Sequence, residues 1–578
     1  MSTARQCSTS TASIYPVASK HVHHNSISAH DMPALAQVRT RVLEDATRAA
    51  HAERAMTLRE GFKTYPQAIM WSLLVSTCII MEGFDIVLIN SLFGLPAFQK
   101  KFGTQSPDGS FGISAAWESA LANGAITGEI TGLFIVGWLA ERWGYRTTLI
   151  AALGLVTGFI FIPFFAQNLP TLLVGLFLCG IPWGAFQTLT TTYASEVCPV
   201  ALRAYLTTYV NLCWVIGQFL ASGVLKGVSH RDDAFGYKLP YGLQWIWPIP
   251  LIVVVAFAPE SPWWLVRKGR KEEAKRSMLR LTSRDQPNFD AGDTVSMMVY
   301  TTELERANTE GFTYRDCFRG ADLRRTEICC MVWAIQTLCG SSSITGFSTY
   351  FFEQAGLDLS NAFSLTLGQY GLGFLATLAS WFLMGRCGRR TLYLWGQIAM
   401  ALLLVTVGLL AIPKSKASAE WTIGGTVMLY NFVYNLTLGP VCYSLVAELA
   451  STRLRNKTVV LARNVYNMTT IVANVLAPRM LNPHAWHWGA KAAFFWAGAC
   501  TLGAIWTYFR LPEPKGRLYV ELDMLFHARV PARQFRSTGV VSLAADGVHL
   551  RDDSSRNADT KVDVHEMQRV VSGSSAST

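Results

Sequence analysis

Four ionisable residues stand inside long apolar stretches of this chain: Glu82 and Asp85, then Glu129, and far downstream Arg463. A charge at mid-membrane costs about 2.5–3.5 kcal/mol on insertion scales, so it needs a partner or a task. Carboxyls that burial keeps near their protonated form, with a guanidinium to expel the proton again, can carry protons. Glu82 and Asp85 are three apart, which predicts one shared helix face, and Asp85 is expected to be the carrier. The competing reading is a static ion-pair cluster that only holds helices together. The energy suffices for work: about 2.3 kcal/mol per charge per 100 mV and about 1.4 per pH unit.

The chain that must position these groups has 578 residues, 51% hydrophobic and only 15% charged. Soluble proteins carry roughly 25% charge, so the class is a multi-spanning membrane protein. Spanning helices need about 20 apolar residues. Twelve segments are expected: 67–92, 115–139, 147–166, 170–194, 204–226, 243–258, 327–352, 361–384, 391–412, 421–445, 457–480 and 491–511. The fold class is therefore all-α and integral to the membrane, with a polar tail over 1–66 and a six-helix half over 67–258. A central insert follows at 259–326, then a second half over 327–511 and a tail over 512–578. The insert holds a basic helix-like stretch, Arg267–Arg280, and an acidic segment near Glu303 and Glu305.

The net charge of +11 falls in short loop clusters, so it reads as the positive-inside signal rather than as nucleic-acid binding. Loops facing the cytoplasm under that rule hold most of the Lys and Arg, and both termini are then cytoplasmic. The sequons at Asn435, Asn456 and Asn467 fall in spans or inside, where no glycosylation is expected. The cysteines form no CxxC pair, and a disulfide framework or zinc site is not expected. His21, His23 and His24 read as part of a solvated tail. The tail serines (Asp552-Asp-Ser-Ser, Ser572–Ser577) and Lys561 offer targets for phosphorylation or ubiquitin machinery. No phosphate loop and no nucleophile–base constellation exists, so neither an ATP-driven pump nor an enzyme is indicated, and no cofactor is called for. Gly371-Leu-Gly-Phe-Leu-Ala376 imitates a dinucleotide fingerprint, but inside a span it reads as close helix packing.

Three motifs recur in order at nearly one spacing. Residues 137–146 (GWLAERWGYR) are echoed at 384–390 (MGRCGRR), 195–203 (SEVCPVALR) at 447–455 (AELASTRLR), and 259–262 (PESP) at 512–515 (PEPK). Parallel repeats of this kind build transporters whose substrate site lies between the halves at mid-membrane. The echoed charges predict inner-gate salt bridges: Arg142 and Arg146 with Glu196, and Arg386 and Arg390 with Glu448. Such bridges would hold the inner side shut and break as the halves rock.

On these residues the chain resembles the major facilitator superfamily, in its sugar-porter branch, over about residues 65–526. Met-Glu-Gly-Phe-Asp (81–85), Ala-Phe-Gln-Lys-Lys-Phe-Gly (97–103), Cys-Gly-Ile-Pro-Trp-Gly (179–184) and Leu-Ala-Arg-Asn-Val-Tyr-Asn (461–467) narrow the likeness to fungal α-glucoside:proton symporters. Asn-Pro-His-Ala-Trp-His-Trp (482–488) and Leu-Pro-Glu-Pro-Lys-Gly-Arg (511–517) extend it. The resemblance implies the major facilitator fold and a plasma-membrane carrier of a maltose-like disaccharide with a proton, its partners being sugar, proton and membrane lipid. Carriers of a hexose, β-glucoside or polyol, and a non-transporting sugar sensor, stand as alternatives.

The resemblance also implies roles. Glu82, Asp85, Glu129 and Arg463 are charged throughout that group. Many sugar porters place an arginine in the fourth helix where this chain has Leu176, so Arg463 is expected to take that part. Gln336 matches the first glutamine of the Gln-Gln-x-x-Gly-x-Asn pattern. Thr337 and Ser342 replace the second glutamine and the asparagine, and Gly346-Phe347 replaces a Tyr-Tyr pair. The smaller side chains predict a wider pocket, suited to a disaccharide. Trp183, Gln187, Thr191, Gln218, Tyr443 and Asn467 are further expected liners, because amides, hydroxyls and aromatic faces hold sugars.

Overall fold

The computed structural model describes residues 56–105, 111–231, 233–283, 289–309, 314–412, 417–451, 454–482, 485–515, 517, 519–535 and 538. The histidine patch, the tail serines and Lys561 lie outside them, as does the side chain of Glu305. Eleven described helices are long and apolar enough to cross a membrane. Six lie in the first half, Pro66–Leu92, Ala115–Trp143, Tyr145–Phe165, Leu169–Val197, Tyr205–Val228 and Phe235–Phe257. Five lie in the second, Gly320–Thr345, Leu359–Arg386, Arg389–Leu410, Ala419–Leu449 and Gly489–Arg510. The twelfth, eleventh in chain order, is Arg455–Leu481, 27 residues long. It is less apolar because Arg463, Asn464, Asn467, Thr470 and Asn474 lie along it.

The sixth span begins earlier than position 243. The segment from Phe235 is helical although Pro240 interrupts it, and a 3-10 turn at Gln244–Ile246 joins it to Pro248–Phe257. The seventh is broken. Gly340 takes a left-handed φ of 90°, a π-type turn covers Ser341–Thr345, and a short helix resumes at Ser348–Gln354. Only glycine adopts that backbone without strain, and π turns of this kind commonly mark functional positions.

Within the first half, the second and fourth spans meet through small residues. A Cβ on Gly128 would lie 2.0 Å from the Phe177 carbonyl oxygen, one on Gly132 2.1 Å from that of Ile181, and one on Gly180 2.0 Å from that of Ala125. Backbones this close gain dispersion that lipid cannot replace, the usual glue where no hydrophobic effect separates helix from tail. The first and fifth spans do the same through Gly83, against the Trp214 carbonyl, and Gly217, against that of Ile80. Gly371 and Gly373 of the eighth span likewise face side chains, Phe219 and the Asn431–Asn435 pair.

At the end where the described residues begin and finish, the repeated loops form matching arrangements. The Glu260 carboxylate accepts the first backbone N–H groups of the third span, from Tyr145 at 3.1 Å and Arg146 at 3.2 Å. Glu513 accepts those of the ninth, from Arg389 at 2.9 Å and Arg390 at 3.1 Å. A helix N-terminus is a ready anion site, and Gly144 and Gly388 leave the space: a Cβ there would sit 2.5 and 2.1 Å from the carboxylate oxygens. Burial pushes the Glu260 carboxyl above the usual range, against the pull of these N–H donors. Glutamine at 260 or 513 offers one acceptor where two are used. Each replacement is expected to cost about 1–2 kcal/mol, read as a lower melting temperature in detergent; an unchanged melt would contradict the assignment.

The echoed salt bridges form, but with other cations than expected. Glu196 pairs with Arg267 at 2.8 Å and accepts Tyr145 Oη–H at 3.0 Å and the Ser261 hydroxyl. Glu448 pairs with Arg389 at 3.2 Å. Arg142 lies over the Trp138 ring, and Arg390 donates to the Tyr508 carbonyl. The Arg386 carbonyl accepts from Lys515. The reason is position: Arg267 comes from the insert helix Pro262–Arg267, which packs under the third and fourth spans, and loop spacing alone does not reveal that approach.

The two halves bind each other from the membrane middle to the end opposite the Glu260 and Glu513 loops. There Asn482 donates to Glu118 at 3.3 Å and Lys226 to Ser360 at 2.6 Å. Ser91 and Thr349 approach at 3.5 Å, and Phe93 stacks on Phe347. Toward the terminal end, Tyr205 meets Trp381 edge to face.

Candidate functional site

Between the halves lies a cavity with about 940 Å³ of empty space, its opening to solvent included. Amides and hydroxyls are set into its wall among apolar residues such as Ile86, Ile89 and Ile126. Asn211, Trp214 and Gln218 come from the fifth span, and Asn431, Tyr434 and Asn435 from the tenth. The broken seventh span presents Ser341, Ser342 and Thr345, and the eleventh presents Asn467, Thr470 and Asn474. These last three lie at i, i+3 and i+7, one helical face. Several amides are pre-set: Asn431 Nδ2 donates to the Gln369 carbonyl at 2.8 Å, and Asn435 Nδ2 donates to Asn431 Oδ1 at 3.1 Å. Asn211 Nδ2 is buried without a hydrogen-bond partner, a donor left for a guest.

Glu129 and Arg463 stand in the same wall. Arg463 Nη2 lies 3.6 Å from Glu129 Oε1, and Asn467 Nδ2 donates to that oxygen at 3.1 Å. The guanidinium is held between Tyr466, 4.4 Å from the ring centre, and Trp333, 4.9 Å away. This pair joins the first half to the second at mid-membrane. Glu82, fully buried, takes the Gln187 amide on Oε1 and lies within electrostatic reach of both Glu129 and Arg463.

Asp85 departs from expectation. It is buried away from the cavity and accepts from Gln244 of the sixth span, so it shares neither partner nor surroundings with Glu82. Three residues advance a helix by about 300°, leaving side chains about 60° apart. In a helix enclosed by the fourth, fifth and sixth spans, that angle separates one neighbour from the next. Arg463 lies against Glu129 instead, and among the described residues no cation pairs with Asp85.

Of the expected sugar liners, Gln218, Ser342 and Asn467 border the cavity. Gln336 is buried beside it with Oε1 unpartnered. Thr337 turns to Thr470, 3.3 Å between hydroxyls. Phe347 packs on Phe93 in the far-end closure, Tyr443 on Trp333, and Trp183 is wholly buried. Gln187 is spent on Glu82, and Thr191 bonds back to the Gln187 carbonyl. The asparagines at 211, 431, 435 and 474 were legible as polar residues at helical spacing within apolar runs, but spacing alone does not show which face turns inward.

Two bundles of six helices, related by a repeat and enclosing a polar mid-membrane cavity, define a major facilitator transporter. Residues 71–526 match the family described as sugar (and other) transporter, and the chain belongs to it. A maltose permease of Saccharomyces cerevisiae is 45% identical over 511 residues, covering 87% of this chain and 83% of the relative. A general alpha-glucoside permease of the same yeast is 43% identical over 503 residues, 86% and 81% of the two chains. Among solved structures, the partially occluded inward-open xylose transporter XylE of E. coli matches with a TM-score of 0.64. It is 18% identical and covers 78% of this chain and all of its own, a likeness of fold. The chain is a multi-pass sugar transporter of the membrane, and not an enzyme.

Proposed function

We propose that this chain carries an α-glucoside of the maltose kind together with a proton across the plasma membrane, both termini lying in the cytoplasm. The observation that carries the reading is the Glu129–Arg463 pair, an ion bridge between the halves in the wall of an amide-lined cavity. A proton on Glu129 removes one charge of that bridge and loosens the halves at the depth of the sugar. The far-end contacts, Glu118 with Asn482 and Lys226 with Ser360, are those that rocking must break to admit sugar from outside. With the termini inside, this arrangement is the inward-facing one.

Glu82 acts with Glu129 as a second acid, and Asp85 as a buried reserve in the first half. Gln218, Ser342 and Asn467 bind sugar hydroxyls. Glu196 with Arg267 ties the insert to the first half and Glu448 with Arg389 ties two spans of the second; both pairs stay made in this inward-facing arrangement, so they brace each half, and Arg142, Arg146, Arg386 and Arg390 serve as topological anchors beside them. Lipid surrounds the spans, and the tails are targets of phosphorylation and ubiquitin machinery.

The test is expression in cells lacking α-glucoside permeases, with sugar uptake and external alkalinisation recorded together. Maltose uptake that raises external pH and collapses with a protonophore is expected. Uptake indifferent to the protonophore would sink the symport, and signalling without uptake would make the chain a sensor. Ser342→Asn places a larger amide in the wall and is expected to raise KM for maltose several-fold, an added methylene-sized mismatch being worth about 1–3 kcal/mol. An unchanged ratio of maltose to glucose uptake would remove Ser342 from the site.

A further inference from the structure

Sugar and proton must each make the other bind better if one is to drive the other, so some group has to sense both. Trp214 stands where that can happen. Its half-buried indole borders the cavity, and its side chain stands within loose hydrogen-bonding reach of Glu82. Glu82 has one oxygen filled by Gln187, while Oε2 is fully buried and has no hydrogen-bond partner. The placement is rigid: Gly83, next to Glu82, lies against the Trp214 backbone, where a Cβ would come within 2.3 Å of the carbonyl oxygen. The charged and titratable groups facing Glu82 are Glu129 of the second span and Arg463, Tyr443 and Tyr466 of the second half.

An indole offers a flat apolar face and a single N–H, and that N–H can only donate. Donated to a carboxyl, it favours the ionised form, since hydrogen bonds to charged acceptors are the stronger ones. A sugar is rich in hydroxyl oxygens that compete for the same donor. We propose that Trp214 is the positioning residue tying sugar occupancy to proton occupancy: with no sugar bound the indole N–H closes on the open Oε2 of Glu82, whereas a sugar hydroxyl takes that N–H and Glu82 holds a proton from solvent instead. Release runs in reverse. When the sugar leaves, the N–H returns to Glu82 and the proton departs, so neither ligand rides alone. The inference rests on the sugar–proton symport reading above.

The experiment measures apparent KM for maltose at pH 5 and pH 7, with external alkalinisation, in cells expressing wild type, Trp214→Phe, Glu82→Gln and the double variant, at matched surface abundance. In wild type, KM is expected to fall on the order of tenfold at the lower pH, within the usual range for linked sites. In Trp214→Phe and in Glu82→Gln the change should shrink below twofold, and the double variant should add nothing to either. Trp214→Phe that keeps the full pH dependence overturns the inference. A wild type that transports maltose without alkalinisation overturns the symport reading instead. If phenylalanine prevents folding, 3-benzothienylalanine introduced at position 214 keeps the ring shape and replaces the N–H by sulfur. The same loss of pH dependence is then expected, and its persistence counts against the role.

Discussion

Glu129→Gln is expected to abolish concentrative uptake while leaving the protein in the membrane, so that internal maltose only equilibrates with the medium. The substitution keeps the shape of the side chain and removes its charge and its titration. Arg463 then loses its anion but keeps the two aromatic faces that flank it. Such contacts are worth about 2 kcal/mol when desolvated, enough to soften the loss. Arg463→Ala should be worse. It leaves Glu129 buried without its cation, the situation that typically costs about 3–5 kcal/mol, and it empties the slot between Trp333 and Tyr466. Lower abundance and a lower melting temperature in detergent are expected, with Glu129→Gln in the same chain recovering much of both. Accumulation that survives in Glu129→Gln and stays sensitive to a protonophore would remove Glu129 as the essential carrier. Glu82 and the secluded Asp85 would then be the acids to neutralise next.

The second large effect is steric. Gly128→Val is expected to deplete folded transporter almost completely. A side chain at 128 begins 2.0 Å from the Phe177 carbonyl oxygen, whereas carbon and oxygen settle no closer than about 3.3 Å even in favourable C–H···O contacts. The second and fourth spans would have to part by more than an ångström along a face that Gly132 and Gly180 also hold closed. Overpacking costs about 1–3 kcal/mol per site where neighbours can yield, and more where they are backbone. Any fraction that still folds moves Glu129, one residue on, away from Arg463, so it should transport without accumulation. Gly154→Ala is the control, since a Cβ there meets nothing within 4 Å. Size-exclusion of the tagged protein in detergent reads both variants against wild type; a monodisperse Gly128→Val at normal yield would refute the close-packing account.

The sequence by itself determined the class, the two repeated halves, the spans and the charges that need explaining. Each follows from local cost: apolar length for a span, and an ion in lipid for a function. The echo of 259–262 at 512–515 was visible too, but that Glu260 and Glu513 cap helix N-termini only the structure showed. What only the tertiary structure decided was which neighbour each side chain meets. Glu82 and Asp85 share a helix and a spacing, yet one faces the inter-half cluster and the other the sixth span, because about 60° of rotation crosses from one packed neighbour to another. Glu196 found Arg267 and Glu448 found Arg389 for the same reason, and Thr337 sits behind the cavity wall against the Thr470 hydroxyl. Periodicity fixes which residues lie on a face. The direction of that face is set by the packing of all twelve helices together, to which every other segment of the chain contributes.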